Sequence, residues 1–283
     1  MRYTLLAVLF SLLWASAFIG VKVALQSSPP LFLMAFRFLV AGGLLLTYAR
    51  LRGRRLPRTR AEWGPLVALG LLNTALYLGL SSIALQHLSA GTGAVLASTN
   101  PLLLALVAAW LLGERLTAAK IAGLLLSFTG VVWIMRARMG DADRPEAMGL
   151  AMLAIGFLVT GTLVFKKLRV AQDLLVVNGA QLLAAGVALF LPSLALEPIG
   201  TVRFTPSFLA AQAFLILGVS CLGMLIWFWL LRHGDASRAS AYFFLNPVLG
   251  LFLGALLLGE PLRVQDFAGS AAVAIGIYLV QRA

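Results

Sequence analysis

The sequence predicts an all-α polytopic membrane protein, with ten transmembrane helices forming two inverted five-helix repeats around a central cavity. Three observations predict it. Of 283 residues, 61% are hydrophobic and 11% are charged, against roughly a quarter charged in soluble domains. The apolar residues fall in ten runs, each long enough to cross a hydrocarbon core at about 1.5 Å per residue and about 20 residues per crossing. The chain also matches itself across its middle at one fixed shift. A mean hydropathy of +0.98 agrees with the first observation.

The runs lie near residues 4–25, 31–49, 63–82, 91–112, 119–136, 147–165, 174–191, 207–231, 239–258 and 265–281. Their connections are short, which leaves no room for a soluble domain. Barrel strands would be about 10 residues long and alternate in polarity; these runs are longer and uniformly apolar. The first run follows Arg2 and contains Ala15-Ser16-Ala17, a pattern shared with cleavable leaders. Its counterpart in the second half marks it as a retained span.

A net charge of +12 would suggest nucleic acid in a soluble chain. Here the basic residues sit between apolar runs and set topology, so the expected partners are the bilayer and a small-molecule substrate, with no nucleic acid. With the N-terminus inside, 15 Lys and Arg fall on the inner side: Arg2, the arginines at 50, 52, 54, 55, 58 and 60, Arg115, Lys120, Lys166, Lys167, Arg169, Arg232, Arg238 and Arg282. Five fall outside: Arg136, Arg138, Arg144, Arg203 and Arg263. Positive charge marks the cytoplasmic side, so both termini are expected there. Arginine outnumbers lysine 18 to 4, a usage associated with GC-rich bacterial genomes, and the expected membrane is the bacterial inner membrane. The single cysteine, Cys221, makes neither a disulfide nor a thiolate cluster. No metal or cofactor is expected, and the sequence does not set the oligomeric state.

At a shift of 146, residues 85–136 match 231–282 without gaps, with 16 of 52 positions identical. Asn100-Pro101 pairs with Asn246-Pro247, Gly113-Glu114 with Gly259-Glu260, Gly123 with Gly269, and Gly130 with Gly276. Residues 5–24 match 150–169 more weakly at a shift of 145. The expected repeats are 1–138 and 147–283. Five spans per half is odd, so the halves enter the membrane in opposite senses. Inverted repeats of this kind hold a midplane site between halves that move against each other.

These residues carry a family resemblance: Trp14-Ala15-Ser16-Ala17-Phe18 with Lys22, Pro30 before Arg37-Phe38, Ser89-Ala90, Asn100-Pro101, Gly113-Glu114-Arg115-Leu116, and the second Asn-Pro and Gly-Glu copies. The chain resembles, over nearly its whole length, the EamA family of the drug/metabolite transporter superfamily, including its bacterial amino-acid and metabolite exporters and their aromatic branch. The second half lacks the Ser-Ala and Arg-Phe pairs. The resemblance implies a ten-helix exporter of small metabolites, with amino acids a frequent substrate class.

Pro101 and Pro247 near the middles of spans four and nine remove helical hydrogen bonds and free the carbonyls of Ala97 and Phe243. In lipid these must find partners or face a cavity. Kinked helices with Asn100 and Asn246 lining a cavity are one reading; kinks capped by neighbours are the other. Asn73, Tyr77 and Ser81 are spaced by four on one helical face, toward a cavity or toward interhelical hydrogen bonds. Trp14, with Ser11, Phe18 and Lys22, forms a second face, for stacking on substrate or for packing. Trp227 and Tyr242 are expected to wall a pocket, with packing as the alternative. Thr160, Asn178 and Gln181 are weaker polar candidates. Lys22 and Arg37 are expected to snorkel outward or to serve a structural role, the alternative being a substrate carboxylate or phosphate. Gly113-Glu114 and Gly259-Glu260 read as turns whose glutamates cap the helix that follows.

All ten carboxylates fall in connections or at span ends. His87 and His233 also lie at span ends. A midplane proton relay is therefore not expected, nor is a small multidrug exporter built on a glutamate in its first helix. No H-E-x-x-H motif or mid-span acid pair points to an enzyme. The expected function is export of neutral or aromatic amino acids by alternating access through the midplane cavity. The alternatives are a carrier of phosphorylated or nucleotide-linked metabolites using Lys22 and Arg37, and a non-transporting membrane subunit or sensor.

Overall fold

The computed structural model describes residues 2–140, 143–167, 172–258 and 261–283. Its described regular elements are all helical. Ten helices are long and apolar enough to cross a membrane: α1 Arg2–Ala24, α2 Pro30–Leu51, α3 Arg60–Ala84, α4 Gly91–Leu112, α5 Ala118–Met135, α6 Pro145–Lys167, α7 Leu174–Leu196, α8 Pro206–His233, α9 Ala236–Leu256 and α10 Val264–Arg282. The sequence places their ends within a few residues. The side chains of Thr59, Ser89, Thr117 and Thr205 accept amides in the first turns of α3, α4, α5 and α8, as hydroxyl caps do. Gly113 ends α4 at φ 68°, a conformation open to glycine. Residues 141–142, 168–171 and 259–260 lie outside the description, and with them Asp141, Arg169 and the Gly259-Glu260 turn.

Contacts between the two halves come in reciprocal pairs. α2 packs along α7 and α5 along α10, so each pairs with its own sequence counterpart. α1 packs on α8 and α9, while α6 packs on α3 and α4; α2 also meets α8, and α7 meets α3. The α5–α10 contact shows why its glycines recur. A Cβ on Gly123 would lie 2.5 Å from the carbonyl oxygen of Gly276, and one on Gly276 would lie 2.5 Å from that of Gly123. Such separations are below any real Cβ contact, so only glycine permits this approach. In the α2–α7 pair, a Cβ on Gly42 would lie 2.6 Å from the Leu183 nitrogen, and one on Gly186 would lie 2.7 Å from the Leu39 nitrogen. Leu39-Val40-Ala41-Gly42 and Leu183-Ala184-Ala185-Gly186 are thus matching segments, at a shift of 144.

Carboxylates at the bundle ends occupy helix N-termini, where free amides favour negative charge. Glu197 accepts from Leu31 and Phe32 at the start of α2, at 2.7 and 2.8 Å. Glu114 does not cap the helix that follows it, α5, which Thr117 caps. It reaches instead to the other half and accepts from the Ala236 and Ser237 amides and the Ser237 hydroxyl at the start of α9, at 2.6, 3.1 and 2.5 Å.

Candidate functional site

Both proline-bearing helices are interrupted where their carbonyls lose donors. α4 breaks at Ser98-Thr99, before Asn100-Pro101. α9 passes through a 3₁₀ turn at Tyr242–Phe244 before Asn246-Pro247. Two further irregularities have no sequence signature. α3 winds as a π-helix over Leu71–Leu76, and α8 does so over Leu215–Gly223. The 146 shift superimposes these segments, and π turns inside α-helices frequently mark functional sites.

A cavity of about 780 Å³, its mouth included, opens in the half of the bundle away from the two termini. It lies among α1, α2, α3, α4, α6 and α8. Trp14, Arg37, Tyr77, Ser81 and Ala97 are among its walls, and Phe18 stands half-exposed at its mouth. Ala97 is the residue whose carbonyl Pro101 deprives of a donor. Trp14 and Tyr77 face the same cavity.

Four aromatic rings, Trp14 among them, close the cavity toward the terminal side. Phe10 lies 5.4 Å from Trp14, 5.3 Å from Trp227 and 5.4 Å from Phe243, centroid to centroid, and Trp227 lies 5.1 Å from Phe243. Such offset and edge-on contacts add to apolar burial. Ser11 ties α1 to α9 by donating to the Tyr242 carbonyl at 3.0 Å. Of the sequence candidates, Trp14 and Tyr77 therefore wall the cavity. Trp227 belongs to its floor, and Tyr242, whose carbonyl accepts from Ser11, lies on the terminal side of that floor. Sequence alone does not separate wall from floor, because both demand large apolar rings.

Asn73, Asn100 and Asn246 do not line the cavity. Asn73 and Asn100 are buried with neither amide atom bonded among the described residues, and Asn246 Oδ1 is likewise unpaired. Asn73 falls out of line with Tyr77 and Ser81 because of the π turn. Hydrogen bonds from i to i+5 widen each turn, so a spacing of four no longer keeps one face.

The two intramembrane cations separate. Lys22 is exposed, consistent with snorkelling. Arg37 does not snorkel. It is 3% exposed and walls the cavity, where its Nε donates to Ser220 Oγ at 2.7 Å and its guanidinium lies 5.3 Å from the Phe38 ring. The reason is geometric: the π segment of α8 brings Ser220 within reach, so the side chain is held inside. Gln181 and Asn178, weak candidates from sequence, join this network. Asn178 donates to the Ser220 carbonyl at 2.9 Å, Gln181 donates to Asn178 at 3.0 Å, and Thr74 donates to Gln181 at 2.5 Å. The chain of bonds runs from the cavity through both π segments. Thr160 instead bonds its own helix at Gly156 and borders a separate apolar crevice between α4 and α6. Cys221 is a free thiol, half-buried.

Among the described residues, no group of three His, Cys, Asp or Glu could hold a metal. His233 stacks on Trp229, and His87 is exposed at the end of α3.

The sequence model of the EamA-like transporter family matches residues 1–136 and again 146–282. The uncharacterized transporter YvbV of Bacillus subtilis is 32% identical over 99% of this chain and 91% of its own length. The uncharacterized inner membrane transporter YedA of Escherichia coli is 28% identical over 98% and 90%. One solved crystal structure superimposes with a TM-score of 0.84 at 23% identity, covering 98% of this chain and 96% of its own.

Proposed function

The chain belongs to the EamA-like transporter family, and on that premise we propose that this multi-pass membrane transporter exports small metabolites, neutral and aromatic amino acids first among them, by alternating access. The observation that carries the reading is one-sided access: a cavity among six helices opens to the end away from the termini and is closed toward them by the Phe10, Trp14, Trp227 and Phe243 rings. With the termini in the cytoplasm of a bacterial cell, as the basic residues favour, this is an outward-facing state. The reciprocal contacts of Gly123 with Gly276 and of Gly42 with Leu183 support halves related by a two-fold axis in the membrane plane, the relation that lets one arrangement serve both facing states. The apolar and aromatic walls suit a bulky neutral side chain. Phosphorylated or nucleotide-linked substrates fit less well, because Lys22 does not reach the cavity.

The test is counterflow of labelled threonine, methionine and phenylalanine into liposomes holding the purified chain. Saturable exchange is expected, with Trp14→Ala and Asn73→Ala slowing it while the protein stays folded. Flux of all three equal to that of empty liposomes would overturn the amino-acid reading.

A further inference from the structure

Arg37 and Gln181 occupy matching places in the two halves. The shift of 144 that superimposes the Leu-x-Ala-Gly segments of α2 and α7 brings residue 37 onto residue 181. Their partners match as well, since Ser220 is Thr74 displaced by 146. Arg37 bonds the hydroxyl of Ser220, and Gln181 bonds the hydroxyl of Thr74. The structural task is therefore the same: a polar side chain on α2 or α7 holds the hydroxyl of the facing π segment.

A neutral amide performs that task in the second half. Gln181 is fully buried and bonded at both ends of its amide, to Thr74 and Asn178. Arg37 uses only Nε. Its two terminal nitrogens make no hydrogen bond to the described protein, and among the described residues no carboxylate pairs with it. Burying a cation without a counter-charge is costly, and packing does not require it, because glutamine suffices at the matching position. Arg37 itself lines the cavity, whose other walls named above bear no charge.

We propose that Arg37 is the anion-binding group of the cavity, and that its ligand class is a monocarboxylate with an apolar or aromatic body whose α-amino group is dispensable. The planar guanidinium offers its two outer nitrogens to a carboxylate as a fork, and Ser220, itself held by Asn178, fixes the direction of the fork. Trp14, Phe18 and Tyr77 take the body. No acid in the described cavity calls for an ammonium, and the Ala97 carbonyl accepts one when it is present.

The proposal rests on the transport reading but is tested by binding, so the two fail separately. Quenching of intrinsic tryptophan fluorescence in detergent is measured with 3-phenylpropanoate, phenylalanine and phenethylamine. The two acids are expected to saturate, with phenethylamine at least about tenfold weaker. Arg37→Gln, which copies the second half, is expected to stay monodisperse and helical yet bind both acids about 10- to 100-fold more weakly, the loss of one charged hydrogen-bonded pair. Arg37→Lys should recover part of the affinity. Phenethylamine binding as tightly as the acids, no binding of either acid, or unchanged acid binding by Arg37→Gln would each overturn the proposal. Intact acid binding with no flux in liposomes would instead overturn the transport reading and leave the site standing.

Discussion

Gly130 and Gly269 face each other so closely that a Cβ on Gly130 would lie 2.8 Å from the Gly269 carbonyl oxygen, and a Cβ on Gly269 would lie 2.9 Å from that of Gly130. The two residues are sequence counterparts of Gly123 and Gly276 taken crosswise. Four glycines thus hold α5 and α10 together along their length. Without water to drive helices together in lipid, backbone approach of this kind supplies much of the packing. Gly130→Leu should therefore destabilise the protein by at least about 1–3 kcal/mol, the usual effect of overpacking. The check is a thermal melt followed by size-exclusion chromatography, in which Gly130→Leu should aggregate at a clearly lower temperature than wild type.

Asn73 is buried against Gly161 of α6 with both amide atoms unpaired among the described residues. An unmatched buried polar group costs about 1–3 kcal/mol, so Asn73→Leu should melt higher than wild type. If the amide serves the opposite facing state, the same variant should lose most of its counterflow. A gain in stability together with a loss of flux is the expected pair, and it separates function from packing.

Glu114 joins the halves where α4 ends and α9 begins. Glu114→Gln keeps the shape but removes the charge that three donors and the α9 N-terminus favour. A loss of about 1–2 kcal/mol is expected, read as a lower melting temperature, with Thr117→Val as the comparison for an ordinary cap.

Asp143 in the α5–α6 connection accepts from the Thr92 hydroxyl and from the Ser89 amide at 2.5 Å. The Thr92 hydroxyl foremost, then the Ser89 amide, hold its carboxyl below the usual range. A depressed folded-state value means that its stabilisation is full above the unfolded value of about 3.9 and is lost as pH falls through the folded one. The melting difference between wild type and Asp143→Asn should therefore stay constant from pH 8 to pH 5 and close below about pH 4.

The spans are legible in the sequence because a bilayer demands long apolar helices, and the glycine pairs are legible because one gap-free shift aligns them. Arg37 is harder to read. The shift changes from 146 to 144 within α2 and α7, which hides its match to Gln181, and α8 holds it inward through a π turn with no residue signature. The same kind of turn moves Asn73 off the face shared by Tyr77 and Ser81. Trp227 and Tyr242 are recognisable as aromatic, but which side of the floor each faces follows from tertiary packing alone.

If Arg37, which has no carboxylate partner among the described residues, moves during the proposed alternating access, its charge couples that movement to the membrane potential. A full elementary charge moved across 100 mV changes energy by about 2.3 kcal/mol, and any rearrangement that displaces Arg37 along the membrane normal moves a fraction of that charge. A bound monoanion cancels it. On that reading the membrane potential acts on the return of the empty carrier and leaves the loaded, electrically neutral step alone, so the turnover varies with voltage through the empty step.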